Sequence, residues 1–462
     1  MNAVHQPSSV VPRAPGLRRA LEALATRRIT VSGLIEQALD AAEAGKRELH
    51  AFAAIDWDGA LSAAAESERR YAQGRQRPLE GLAIGVKDLI DTRGIETSYG
   101  SAAYLGHLPA FDADIVRALI ERGAIPIGKT TTHEFAWGVT TASATFGDTL
   151  NPLDRTRIPG GSSGGTAAAI AYGAVAAGLG TDTGGSVRIP AALCGVVGFK
   201  PTFGALPTRG IFPLAPTLDH PGFLGETVDD IAVLAGAFHI EVPRNAESPH
   251  ARLGVIREIA PVPLSAEIAA AFDGAVTRLA EAFACTTLDA PGLFGGVFEA
   301  FAHIVLAEGG AEHFRRNDAD RIAAHYGRET IDRLERARTL TLGDYARAQQ
   351  TRRDFTARLH RAMSEVDCLV LPTCPCTAPR VNQASIDIGN WSGTVREALM
   401  TYTAPFNVAG FPAISIPLAA RDGLLPAALQ IVAKPGHDAA LLQIAQQIEQ
   451  MLRPVAATTP AR

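Results

Sequence analysis

Between positions 16 and 48 apolar residues recur at steps of three and four, at Leu17, Leu21 and Leu24 and again at Leu34, Ile35 and Leu39. That spacing puts them on one face of a helix, so the stretch predicts helices with a buried stripe. Thr30, before Val31-Ser32-Gly33, marks the start of the second helix, and Glu36 suits its first turns. An alanine- and charge-rich helix follows over 60–72. From Leu82 the texture changes. Short continuous apolar runs at 82–86, 124–128, 177–181 and 195–199 alternate with helical patterns over 114–122 and 166–178. Such alternation predicts an α/β sheet with helices on both faces.

From about 226 to 362 the pattern is mostly helical, with a strand at 253–256. The amphipathic, charged stretches 331–340 and 345–359 predict exposed helices packed over the sheet. Strand texture returns at 368–372, 413–417 and 429–432, and a helix over 438–452 closes the chain. No low-complexity linker or internal repeat divides the sequence, so the late strands are expected to complete the sheet begun early. The predicted fold class is therefore α/β, a single large domain with a mixed central β-sheet covered by helices on both faces. An N-terminal helical segment, 1–75, packs on a core of 76–462 that carries a helical insertion at about 260–362.

A length of 462 residues admits one large domain or two to three average ones, and an apolar share of 47% is enough for a large core. The net charge is −5 and no Lys/Arg run resembles a nucleic-acid footprint, which argues against nucleic acid as a direct substrate. Residues 1–15 lack a continuous apolar run and do not read as a signal peptide. The most apolar stretch, 167–179, is too short for a membrane span and is interrupted by Gly173 and Gly178. The five cysteines, Cys194, Cys285, Cys368, Cys374 and Cys376, are odd in number and lack zinc-finger spacing. We expect a cytoplasmic protein with reduced thiols, no metal, no cofactor and no membrane association, monomeric or homodimeric.

The chemistry concentrates in two glycine-bracketed serine blocks. The first is Pro159-Gly160-Gly161-Ser162-Ser163-Gly164-Gly165, and the second runs Gly180-Thr181-Asp182-Thr183-Gly184-Gly185-Ser186-Val187-Arg188-Ile189-Pro190-Ala191. Glycine beside serine permits backbone angles that a side chain forbids, and it lets a substrate carbonyl approach main-chain N–H groups. A serine nucleophile needs both.

Two other motif matches fail on context. Gly123 to Thr130 fits the phosphate-binding pattern GxxxxGK[ST], but Pro126 has no N–H and the segment reads as a strand preceded by a helix. Gly160-Gly161-Ser162-Ser163-Gly164 fits the G-x-S-x-G elbow, for which Asp219, His220, Asp367 and His437 offer partners. That elbow needs a strand entering its first glycine, and 151–159 is loop. Lys87, at the end of an apolar strand, reads on its own as a snorkelling surface residue. Buried, it would be a base, because desolvation favours the neutral amine, and lysine with serine can replace a Ser-His pair.

With the two serine blocks, the second reading prevails. The sequence resembles the amidase signature family through Gly85-Val86-Lys87-Asp88, both serine blocks, Gly198-Phe199-Lys200-Pro201-Thr202-Phe203-Gly204, Thr217-Leu218-Asp219-His220-Pro221-Gly222 and Asn407-Val408-Ala409-Gly410-Phe411-Pro412-Ala413. The likeness extends from roughly 29 to 452. It implies Ser186 as nucleophile, Ser162 as bridging acid/base reached through a cis Gly161–Ser162 peptide, and Lys87 as terminal base. The N–H groups of Thr183, Gly184, Gly185 and Ser186 would line the oxyanion hole. We read Asp182 and Arg188 as a pair that fixes the glycine turn, and Ser163 as its support. Asp88 would hydrogen-bond near Lys87 without acting as base, and His133 and His220 read as structural.

The implied activity is that of a serine hydrolase cleaving a C–N amide bond of a small molecule through an acyl-enzyme. A carbamate or ester hydrolase in the same scaffold is an alternative, as is an amidotransferase A-type subunit or a catalytically silent partner. The segment Thr131-Thr132-His133-Glu134-Phe135 departs from the Asn-Met-Asp-Glu-Phe form typical of the A-type component of aminoacyl-tRNA amidotransferases, which weakens that last reading. Segments 131–141, 208–212 and 298–314 are expected to line the substrate pocket, with Phe135, Trp137, Gly138 and Arg209 as binding candidates. Trp137, Phe135, Phe212 and Tyr402 suggest an apolar or aryl acyl group, although each fits a core position equally well. Arg209 is either a solvated loop charge or a polar contact at the pocket mouth.

Overall fold

The computed structural model describes residues 14–242, 251–288, 292–418 and 424–452. The first thirteen residues, read above for a leader, lie outside them. The strands are β1 (Phe52–Ile55), β2 (Ala83–Lys87), β3 (Ile125–Thr130), β4 (Ala177–Asp182), β5 (Val197–Lys200), β6 (His220–Gly225), β7 (Arg252–Val255), β8 (Ala284–Thr287) and β9 (Cys368–Pro372). They continue with β10 (Ser385–Ile388), β11 (Trp391–Thr394), β12 (Ala413–Pro417) and β13 (Ala428–Ala433). Eleven of them form one sheet in the order β1-β3-β2-β4-β6-β5-β12-β13-β9-β7-β8, and β10 and β11 pair separately. The sheet is mixed. Strand β2 runs parallel to β3 and β4, β7 runs parallel to β8 and β9, and the intervening pairs are antiparallel. The chain is thus a single α/β domain in which a large mixed sheet is flanked by helices.

Burial on both faces explains why the core strands read as unbroken apolar runs rather than alternating ones. Along β9, Cys368 and Val370 enter one hydrophobic cluster while Leu369 and Leu371 enter the other. Strand β13 does the same with Leu429 and Ile431 against Val432. The early helices Leu17–Ala25 and Val31–Leu49 belong to the first cluster, through Leu17, Leu24, Ile35 and Leu39. Thr30 caps the second of them, its side chain accepting from the Gly33 N–H. The alanine helix, Gly164–Tyr172, is shorter than its pattern suggests. Gly173 ends it with a left-handed φ of 94°, and the following residues turn back into β4.

Four features go beyond the hydrophobic pattern: β1 within the N-terminal stretch, β6, the edge strand β8, and the β10–β11 pair. Strand β6 begins His-Pro-Gly, a poor strand sequence. It is tolerated because Pro221 pairs only with Thr181 of β4; the ladder to β5 involves Phe223, Leu224 and Gly225. Parallel β2 and β4 end at the same edge of the sheet, and the loops there hold both serine blocks. Ligand sites in α/β sheets form at such carboxyl ends. Among the described residues, no helix is long and apolar enough to cross a membrane.

Candidate active site

Lys87 is the last residue of β2 and is fully buried. Its Nζ lies 2.7 Å from Ser162 Oγ and 2.7 Å from Thr181 Oγ1 on β4. Burial lowers its pKa to about 7, and the charges of Asp182 and Asp219 offset part of that fall. Among the described residues, no carboxylate hydrogen-bonds to it. Asp88 turns away, accepting from Ser98 Oγ at 2.5 Å and the Ser98 N–H at 3.2 Å, so it does not contact Lys87. Burial raises the Asp88 pKa to about 6, opposed by the charge of Lys129. Lys129, the lysine of the rejected phosphate-loop match, belongs to β3 and is itself buried against Thr92 Oγ1 at 3.1 Å.

Ser162 sits in the loop before the Gly164–Tyr172 helix, and its peptide bond to Gly161 is cis. Thr141 braces this loop, donating from Oγ1 to the Gly160 carbonyl at 2.8 Å and accepting from the Gly164 N–H at 3.1 Å. The Ser163 N–H donates to the Ser186 carbonyl at 3.1 Å, tying the first serine block to the second. Ser163 Oγ donates to the Thr181 carbonyl at 3.2 Å. Ser163 therefore works as a brace between the blocks.

The second block is organised by Asp182, buried at the end of β4. Its carboxylate accepts from the N–H groups of Gly185 at 2.8 Å and Val187 at 3.1 Å. It also takes Arg188 Nε at 3.0 Å and Nη2 at 2.8 Å. Burial would raise its pKa, but Arg188's charge and hydrogen bonds outweigh burial and hold the carboxyl well below the usual range. Arg188 is itself fully buried and donates on to the Thr403 carbonyl at 3.0 Å, Gln430 Oε1 at 2.6 Å and Asn407 Oδ1 at 2.6 Å. Asn407 Nδ2 returns a bond to the Asp182 carbonyl at 2.8 Å. Asp182 and Arg188 form the expected pair, and it is buried completely.

The N–H groups of the glycine turn divide into two sets. That of Gly185 is occupied by Asp182, so it does not join the donors facing the pocket. Among the described residues, those of Thr183, Gly184 and Ser186 have no acceptor in the protein, and all three residues line one cavity. The Thr183 hydroxyl donates to Asp219 at 2.5 Å, and Thr403 Oγ1 donates to the Gly184 carbonyl at 2.7 Å, so the turn is held from behind. The glycines are required here: a Cβ on Gly184 would collide with Met400 and Phe301, and Gly185 adopts a φ of 129°.

Trp137 and Gly138 line this cavity, as do Phe301 and Val305 from the 298–314 stretch. Phe135 does not. Its ring is enclosed by Phe212 at 5.0 Å and by His313 and Tyr326, both at 4.6 Å, because its positive φ of 51° turns it into the core. Tyr402 is likewise core, donating to the Val262 carbonyl at 2.7 Å. Arg209 does not line the cavity either. It is an exposed loop residue whose guanidinium reaches Asp114 at 2.9 and 2.5 Å. His220 is buried, bonded through Nδ1 to the Leu218 carbonyl at 2.6 Å, and burial, aided by the charge of Lys200, holds its pKa well below normal. No strand enters Gly160, which removes the elbow arrangement. Sequence reasoning missed Thr181, Leu214, Arg396 and Met400, whose local patterns are those of ordinary strand, loop and helix positions.

A buried lysine, two glycine-bracketed serines and a cavity thus meet at one edge of the sheet of this α/β domain. The family model described as Amidase matches residues 33–442, and the chain belongs to the amidase signature family. The A-type component of the glutamyl-tRNA(Gln) amidotransferase of Chloroflexus aggregans is 32% identical, the match covering 93% of this chain and 94% of that one. A crystal structure described as an amidase superposes with a TM-score of 0.87 at 33% identity, over 95% of this chain and all of the other (100%). A chain from a complex described as revealing the origins of an s-triazine catabolic enzyme gives 0.86 at 30% identity, over 94% of this chain and 98% of that one.

Proposed function

We propose that this chain is a serine hydrolase that cleaves the C–N bond of a small-molecule amide through an acyl-enzyme, with Ser186 as nucleophile. The observation that carries this reading is a buried lysine of pKa about 7 whose Nζ lies 2.7 Å from Ser162 Oγ, beside the cavity that holds Ser186. Ser186 Oγ attacks the carbonyl carbon while its proton passes to Ser162 Oγ, whose own proton moves to neutral Lys87 Nζ. The oxyanion is received by the N–H groups of Thr183, Gly184 and Ser186; one such donor typically contributes about 10²–10³ in rate. When the C–N bond breaks, the relay runs backward and protonates the leaving amine. Water then repeats the attack on the ester, releases the acid and restores Ser186.

Carbamates and esters differ from amides in the groups flanking the carbonyl, so the same relay serves them. All five cysteines are free thiols, which supports a cytoplasmic setting. A second reading, one component of a multiprotein amidotransferase, is favoured by the 32% identity to the Chloroflexus protein and opposed by the altered 131–135 segment. Purified chain without any partner, assayed on a panel of alkyl and aryl amides, carbamates and esters, separates the two. Turnover that vanishes in Ser186→Ala, with the fold retained by circular dichroism, is the expected result. Hydrolysis that persists in Ser186→Ala would sink the assignment, and silence until a partner is added would favour the amidotransferase reading.

A further inference from the structure

The cavity beside Ser186 contains a single charged side chain, Arg396, and among the described residues that guanidinium has no hydrogen bond or ion pair. Arg396 lies near the start of the Val395–Thr401 helix, one turn before Met400, whose methyl lies against Gly184. Residues four apart on a helix lie on the same face, and Arg396 and Met400 form part of the same cavity wall. Glu329, whose charge also acts on Arg396, is already committed elsewhere. It pairs with Arg333, and its other oxygen lies 3.0 Å from His133 Nε2. The remaining walls are apolar: Trp137, Leu214, Phe301, Val305 and Met400. Burial, with the positive charge of Arg333, lowers the Arg396 pKa to about 10, which leaves it a cation at neutral pH.

The position of the cavity assigns it to one half of the substrate. Ser162 and Lys87, which must return a proton to the leaving amine, do not line it, whereas Ser186 and the oxyanion donors do. The cavity is therefore assigned to the acyl side. We infer that the acyl group is an apolar chain ending in a carboxylate, received by Arg396 in the cavity wall, so that the substrate class is the ω-carboxyl amides. This inference rests on the hydrolase reading above. A lone guanidinium matches a carboxylate by a two-pronged hydrogen bond, and one cation among apolar walls suits a monoanion on an apolar spacer.

The test uses the monoamides of straight-chain dicarboxylic acids from glutaric to suberic, each against the neutral straight-chain amide of equal length. Binding is measured by calorimetry on the Ser186→Ala protein, and turnover on the intact chain. At the best length the carboxylated amide should bind about 10- to 100-fold more tightly than its neutral match, the range expected of a charged hydrogen bond. That preference should collapse in Arg396→Gln and survive in part in Arg396→Lys, which also serves if the Gln variant does not fold. Equal binding of the two amides at every length, or a preference indifferent to both substitutions, would overturn the inference. Arg396-dependent binding without any hydrolysis by the intact chain would instead uphold the carboxylate site and contradict the hydrolase reading.

Discussion

A lysine at the end of a buried strand gives up its hydration, and in Lys87 that cost falls on the charged form. With a pKa near 7 it is roughly half neutral at physiological pH, whereas an exposed lysine would be almost wholly protonated. The proposed relay needs the neutral amine, so the sign of the pH dependence follows. Below about 7 Lys87 is protonated and kcat/KM should fall close to tenfold per pH unit; above it the profile should level off. Lys87→Ala should remove that limb and most of the rate with it. An unchanged limb in Lys87→Ala, or one abolished by replacing His220, would count against the relay. The residues of this site were legible to different degrees. Ser162 and Ser186 stand in glycine-rich blocks that few folds require for structure alone, whereas Lys87, at the end of an apolar strand, stands out only beside them. Arg209 was legible only as a loop arginine, because its partner Asp114 lies 95 residues away and nothing local points to it. Arg396 and Met400 lie in a short helix over 200 residues beyond Ser186, and no local pattern marks them as pocket walls.

At the scale of elements, the Ser186 turn is held by one buried carboxylate that accepts from the chain on both sides of Ser186. Replacing Asp182 with Asn would leave Arg188 buried without a counter-charge. Removal of one partner from such a pair typically costs about 3–5 kcal/mol. Urea denaturation of Asp182→Asn should show a loss of that order together with lost activity, and a wild-type midpoint would contradict the role assigned to the pair. The pair could be read from sequence because its members are six residues apart around a glycine turn. Its further partners Asn407 and Gln430 could not, since they come from the far end of the chain. The same contrast holds for strands. Strand β9 announces itself as Cys-Leu-Val-Leu-Pro because both its faces are buried, whereas β6 hides behind His-Pro-Gly and depends on the register of its neighbours. Strand β8 is largely exposed at the sheet edge and carries no apolar run.

Across the whole molecule, one sheet joins segments far apart in sequence. Strand β1, from the first sixty residues, lies at one edge, β7 and β8 lie at the other, and the late strands β12 and β13 sit in the middle. Lys87 and Thr181 come from adjacent strands in the early half of the sheet, while Met400, Thr403 and Asn407 close over the Ser186 turn from the late part of the chain. The site thus depends on the complete fold. The central claim, that Ser186 carries the acyl group while Ser162 and Lys87 move protons, is tested most directly by quenching a steady-state reaction with acid and mapping the labelled peptide by mass spectrometry. The account predicts an acyl mass on Ser186, accumulating in wild type and absent from Ser186→Ala. An acyl mass on Ser162, or labelling undiminished in Ser186→Ala, would contradict it.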